Sequence, residues 1–235
     1  MLLLLDFADK DDATRIAEIH MTAFGSNAML LAQFPTEESR EGLLHSSVIK
    51  TKADIDDPNT TVLVIRDVDN VQSRTNSPSA QSSNTQSNDG ARPEKTGLAI
   101  AFAKWTHPIP KDGEYTEPQW IWPPGTDLGL LEDWLTTIEK AQSRTVGDTP
   151  CYHLTFMGTL PAYEKQGAAT MMLRWGMAQC QKDGTPAYLE STLEAASFYE
   201  KNGFKPTEKL SLEYDIPGSH KLEVYEEIAF VYRPS

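Results

Sequence analysis

LTFMGTLPAYEKQGAATMMLRWGMA, residues 154–178, reads as a strand, a tight polar turn and a helix. Leu154, Phe156 and Met157 are apolar and lead to the breaker Gly158. Pro161 and Ala162 open the connection, and Gln166-Gly167-Ala168-Ala169 starts the helix with small or polar residues. Met171, Met172, Leu173, Trp175 and Met177 then cover nearly every side, which predicts a helix packed between layers. A strand that feeds a helix through a small-residue turn leaves backbone N–H groups unpaired at the helix start. With the positive end of the helix dipole, those groups form a site for anions such as phosphate. A larger side chain than Gly167 or Ala169 would hold a diphosphate away from the backbone.

This order of strand, Pro-x-Tyr, polar residues, Gly-x-Ala and helix resembles the acyl-CoA-binding motif of the GNAT superfamily of N-acetyltransferases. That motif is written Arg/Gln-x-x-Gly-x-Gly/Ala, and here it is Glu164-Lys165-Gln166-Gly167-Ala168-Ala169. The last three positions fit. Glu164 stands where Arg or Gln is usual and adds no attraction for pyrophosphate, while Lys165 beside it supplies a positive charge. A second segment, Ala195-Ala196-Ser197-Phe198-Tyr199-Glu200-Lys201-Asn202-Gly203-Phe204, is similar to the family's A-x-x-x-Tyr-Glu-Lys-x-Gly-Phe. Between them Ala187–Ser191 forms a plausible strand. The likeness is close over residues 150–214 and extends over 2–105 only in the order of elements. The wording of the second half, with Trp175-Gly176 and Leu189-Glu190-Ser191, is most similar to GNAT proteins of filamentous fungi, which implies a small amine acceptor before a protein or peptide one.

The resemblance implies a mixed α/β (α+β) fold with a mostly antiparallel, splayed sheet flanked by helices. It implies acetyl-CoA as co-substrate and no metal. Backbone at Met157, Gly158 and Thr159 would hold the pantetheine arm, and Glu164, Lys165, Gln166, Gly167, Ala168, Ala169 and Thr170 would surround the pyrophosphate. Tyr199 matches the tyrosine that faces the CoA sulfur and acts as general acid. The general base stays open among Glu190, the first candidate, Glu227 and His153. Two other readings also stay open: a catalytically idle acyl-CoA-binding or scaffolding domain, and an enzyme of this fold that has lost CoA.

The whole chain sets further bounds. Its 235 residues suit one domain, 1–235, and a net charge of −13 would be repelled by nucleic-acid phosphates and anionic lipid. With the acceptor that the resemblance implies, the expected partner is a small amine, and the chain itself is expected to be a monomer or homodimer. Cys151 and Cys180 lack metal-ligand spacing and read as reduced thiols. The apolar start Met1–Leu5 is too short for a signal peptide or membrane span, so a cytoplasmic protein is expected.

Taken in order, Leu2–Phe7 reads as a strand and Asp11–Phe24 as a helix with His20 packed inside it. Ala28–Phe34 reads as a short helix, and Thr36 opens another whose buried stripe is Leu43, Leu44 and Val48. By resemblance, Phe24, Met29, Phe34 and His45 are candidates for the acceptor side, although as residues they read mainly as core. Thr60–Val68 and Gly97–Trp105 read as strands, separated by a Ser/Asn/Gln-rich stretch, 70–95, whose composition predicts a disordered loop. Residues 107–150 combine a Pro-rich loop bearing Trp120 and Trp122 with an amphipathic helix ending near Lys140. Those tryptophans read equally as an active-site wall and as a plug for the loop. A helix over Leu193–Asn202 and a closing hairpin around Pro217-Gly218 complete the reading.

Overall fold

A computed structural model describes residues 1–69, 97–109, 115–219 and 221–234. The stretch 70–95, expected to be disordered, lies outside the described residues. The described residues form a seven-stranded sheet in the order β1-β2-β3-β4-β5-β7-β6. The strands are β1 (Leu3–Phe7), β2 (Thr60–Asp67), β3 (Leu98–Thr106), β4 (Tyr152–Thr159), β5 (Ala187–Thr192), β6 (Lys205–Asp215) and β7 (Leu222–Tyr232). Every neighbouring pair is antiparallel except β4 and β5, which run parallel and pair only at Tyr152↔Ala187 and His153↔Tyr188. Beyond His153 the two strands part. The mixed, mostly antiparallel, splayed sheet expected from the sequence is the one observed.

The parting is prepared by a bulge. Trp105 lies opposite Leu154 and Lys104 opposite Phe156, so Thr155 is an extra residue without a partner on β3. A bulge turns the strand and increases its twist, which carries the rest of β4 away from β5. Leu160 donates its N–H to Ile100 on β3. Because backbone groups alternate sides along a strand, the N–H and C=O of Thr159 and Met157 face the opposite way, into the gap.

One face of the sheet carries α5 (Ala168–Asp183) and the short α6 (Ala196–Lys201). The other carries α1 (Ala13–Phe24), α3 (Glu37–Asp56) and α4 (Leu128–Val146), with α2 (Ala28–Gln33) beside α4. None of the described helices is long and apolar enough to cross a membrane. Helix α5 lies on a single face: Ala168, Met172, Leu173, Gly176 and Cys180 are buried, whereas Arg174 and Ala178 are exposed. The expected burial between two layers is thus corrected. Met171, Trp175 and Met177 are long enough to lie sideways over the flanks of the same face, so an all-round apolar sequence packs against one layer.

Gly176 is where α5 comes nearest the sheet. A Cβ added there would drive into the indole of Trp105, which is fully buried. Alanine favours a helix over glycine by about 1 kcal/mol, but overpacking against a rigid buried ring costs about 1–3 kcal/mol. Gly176→Ala is therefore expected to lower the Tm by up to about 8 °C in calorimetry, despite its better helix propensity.

Two boundaries and one buried face differ from the sequence reading. Helix α4 continues to Val146 and ends at Gly147, because its polar last turns still bury Ala141 and Val146. Helix α6 starts at Ala196, with Leu193–Ala195 in a turn before it. On α3 the buried face is Ser39, Leu43, Ser46, Ser47, Lys50 and Asp54, while Leu44 and Val48 lie at its margin. Small serines let α3 approach α1, and charge pairing takes the place of apolar burial. Lys50 pairs with Asp54, Asp54 accepts from Lys104 at 3.2 Å, and Glu117 accepts from Lys50 at 3.0 Å. Glu117 thereby fastens the Trp-bearing loop to α3.

Candidate active site

A cavity of about 290 Å³ occupies the gap between β4 and β5. It passes through the plane of the sheet. On the α5 face it meets Ala195 and Tyr199, and on the α4 face it meets Glu190, Tyr225, Glu227 and Trp134. Ligands in open α/β sheets characteristically bind beyond the carboxyl ends of strands, where neighbouring strands diverge. The gap opens toward those ends of β4 and β5.

Polar groups cluster on the α4 face. Glu190 and Thr192 share that face, and Glu227 lies opposite Thr192, so the two carboxylates are diagonal cross-strand neighbours. Asn27 donates to the Tyr225 hydroxyl at 2.7 Å, and Tyr225 donates to Glu227 Oε1 at 2.7 Å. Burial, with the nearby Glu190, lifts the Glu227 carboxyl to about 7, against a downward pull from the Tyr225 hydrogen bond. Glu190 Oε2 lies 2.9 Å from His153 Nε2, and the same buried carboxylate stands beside the Tyr188 hydroxyl. Tyr199 is buried, and that burial, with Glu227 nearby, pushes its phenol above the ordinary range, so it stays protonated. His20 stands in an aromatic group with Phe24, Phe102 and Phe156; burial and the charge of Lys104 lower it to about 4, so it is neutral at physiological pH.

The far end of the cavity is aromatic. Trp120 and Trp122 stack with centroids 4.9 Å apart and planes 5° apart. They pack against Leu30, Phe34 and Leu43 as well as lining the cavity. The wall and the plug foreseen as alternatives for these tryptophans are combined in one arrangement. Of the four acceptor-side candidates, Phe24, Met29 and Phe34 line the cavity. His45 does not: it is exposed on the outer side of α3, because the buried face of that helix falls on Ser46, Ser47 and Lys50.

The residues expected around a diphosphate sit apart from this cavity, at the turn into α5. Glu164, Lys165, Gln166 and Gly167 are exposed, and Ala169 and Thr170 are half-buried beside the buried Ala168. Lys165 has φ +59° and Gly167 has φ +96°. No side chain caps α5, and a Cβ built on Gly167 would meet nothing within 4 Å. The corner is thus open, with its backbone donors available to an anion. Together with the free edge at Met157 and Thr159, it fits an extended, diphosphate-bearing thioester. Gly158 is packed instead: a Cβ built on it would lie 3.0–3.4 Å from the side chains of Phe102, Ala23 and Phe24, so its lack of one lets α1 sit close to β4.

Sequence reasoning missed the Asn27–Tyr225–Glu227 chain. Its signal was the alternation Tyr225-x-Glu227, which puts both side chains on one face of a strand. Asn27 is the N-cap of α2 and also accepts from Leu30 N–H, which fixes its side chain.

Residues 135–206 match the family model described as Acetyltransferase (GNAT) domain, a span that holds both motifs and covers less than half of the chain. No curated protein sequence matches the chain. Among solved structures, the fold is similar to histone acetyltransferase HPA2 and related acetyltransferase from Corynebacterium glutamicum, with 17% identity, 100% of this chain and 98% of that chain covered, and TM-score 0.57. It is similar to mosquito arylalkylamine N-acetyltransferase like 5b, with 14% identity, 99% and 100% covered, and TM-score 0.57. Arabidopsis thaliana NAA60 in complex with acetyl-CoA aligns with 15% identity, 99% and 98% covered, and TM-score 0.51. At these identities the likeness concerns the fold.

Proposed function

We propose that this chain, whose fold is that of the GNAT acetyltransferases, transfers an acetyl group from acetyl-CoA to a small primary amine. The observation that carries the reading is a cavity through the parted strands that holds two carboxylates on one face of the sheet and a buried tyrosine on the other. The matched domain span and the acetyl-CoA complex of a structural neighbour support the choice of co-substrate. The cavity's volume equals that of on the order of ten water molecules, enough for a small amine and too little for a folded partner.

In this reading the CoA thioester lies along the free edge of β4, with its diphosphate on the N–H groups at Gly167–Thr170. Glu190 holds the arriving ammonium, and Glu227 takes one proton from it. The sequence put Glu190 first as base; its engagement with His153 and the lifted carboxyl of Glu227 favour the exchange of roles. The neutral nitrogen attacks the thioester carbonyl carbon, a C–N bond forms and the C–S bond breaks. Tyr199 protonates the departing thiolate and the amide nitrogen loses its second proton to solvent; Glu227 then releases its proton to solvent and Tyr199 regains one from it. Ammonium and acetyl-CoA thus become amide, free CoA thiol and one proton.

Thermal shift with acetyl-CoA, combined with thiol release over a panel of amines, tests this. Stabilisation with turnover is expected. Stabilisation without turnover would identify an idle binding domain, and no response to any CoA ester would mean that the fold has lost this co-substrate. Tyr199→Phe is expected to cut kcat by 10- to 100-fold while the Kd for acetyl-CoA stays within about threefold, measured by steady-state kinetics and calorimetry.

A further inference from the structure

The amine end of the cavity is proposed above; the opposite end holds polar capacity that none of the described residues uses. Gln33 is only 7% exposed, lines the cavity, and its side-chain Nε2 has no hydrogen-bond partner among the described residues. It stands on α2 between Met29, which packs in the Trp134 cluster, and Phe34, whose ring meets Trp122 at 6.1 Å. An unpaired buried amide is costly unless something arrives to pair with it. At the other end the Glu190 carboxylate is buried beside the Tyr188 hydroxyl, with His153 on its other oxygen. The cavity therefore presents an orphan amide beside flat aromatic surface and a buried carboxylate at the amine end. A polyamine would bring only N–H donors to the Gln33 Nε2, which is itself a donor. A peptide would bring more backbone groups than the apolar wall can satisfy.

We propose that the acceptor is a primary amine joined by a short arm to an aromatic ring that carries a hydrogen-bonding substituent, the ring set against the Trp120–Trp122 pair, the substituent on Gln33, and the ammonium on Glu190 and Glu227. A hydroxyl suits the substituent position, since it can donate or accept and so satisfies the amide whichever way it is turned. The inference rests on the amine-acetylating reading and narrows its substrate class.

The test uses the full chain with acetyl-CoA and four probes: tyramine, 2-phenylethylamine, spermidine and a tripeptide with a free amino terminus. Tyramine is expected to show a KM at least tenfold below those of spermidine and the tripeptide, and a kcat/KM roughly three- to tenfold above that of 2-phenylethylamine. Gln33→Leu should bring that last ratio close to one, a selectivity change that loss of packing alone would not produce. Trp122→Ala should raise the KM for both aromatic amines about tenfold, with Trp122→Phe recovering most of it. Preference for spermidine or the tripeptide, or a tyramine ratio indifferent to Gln33→Leu, would overturn the inference. Calorimetric titration with tyramine, without acetyl-CoA, separates this from failure of the transferase reading. Saturable binding weakened by Trp122→Ala upholds the acceptor class even if no amine is turned over, and absence of binding overturns it.

Discussion

Gly167→Glu is expected to abolish acetyl-CoA binding, with at least a 100-fold rise in Kd by calorimetry. Two effects act together. At φ +96° a side chain is strained, by about 1 kcal/mol for a small one. The larger effect is charge: the open space above Gly167 is where a diphosphate would meet the first amides of α5, and a carboxylate there repels it. Gly167→Ala separates the two, because it keeps the strain and omits the charge. It should weaken binding about tenfold or less, with unliganded Tm reduced to a similar extent in both variants. Normal binding by Gly167→Glu would remove the diphosphate from this corner and, with it, the proposed orientation of the thioester.

Glu227→Gln should lose 10²- to 10³-fold in kcat/KM at pH 8 and gain stability at the same pH. The proposed reaction needs Glu227 ionised, so kcat/KM should climb as pH rises through about 7 and then level off. The variant should lack that limb. The stability change has the opposite sense. Glu227 is lifted from an ordinary value of 4.5 to about 7, so the folded state holds its proton more tightly than the unfolded chain does. Below pH 4.5 both are protonated and no penalty applies. The penalty grows between 4.5 and 7 and is full above 7. Partial access to the cavity reduces it to about 1–2 kcal/mol. Glu227→Gln should therefore melt higher than the parent at pH 8 and nearly level with it at pH 4.5, in paired thermal melts. A stability gain without loss of activity would leave Glu190 as the base.

The reading of the fold from sequence worked best where chemistry is local. The Gln166–Ala169 turn, the β-branched run of β2 and the breaker at Pro217-Gly218 each act on the residues beside them, and each falls where expected. It worked less well where burial depends on a distant neighbour. Apolar periodicity on α3 pointed to Leu44 and Val48, yet the buried side is held by Lys50 and Asp54 because Lys104 and Glu117 arrive from β3 and the Trp loop. The site divides in the same way. The residues around Gly167 and Tyr199 belong to short contiguous motifs and were visible. The Asn27–Tyr225–Glu227 chain joins residues 198 positions apart, and the orphan amide of Gln33 becomes meaningful only once α2 is laid over the gap.

With only two facing pairs of residues joining β4 to β5, the sheet is in effect two smaller sheets hinged along a short seam. An elongated thioester lying in the opening would supply the missing rungs and tie the halves together. Amide hydrogens of Met157 and Thr159 should then exchange with solvent far more slowly once it is bound, and the protein should unfold as a more cooperative unit.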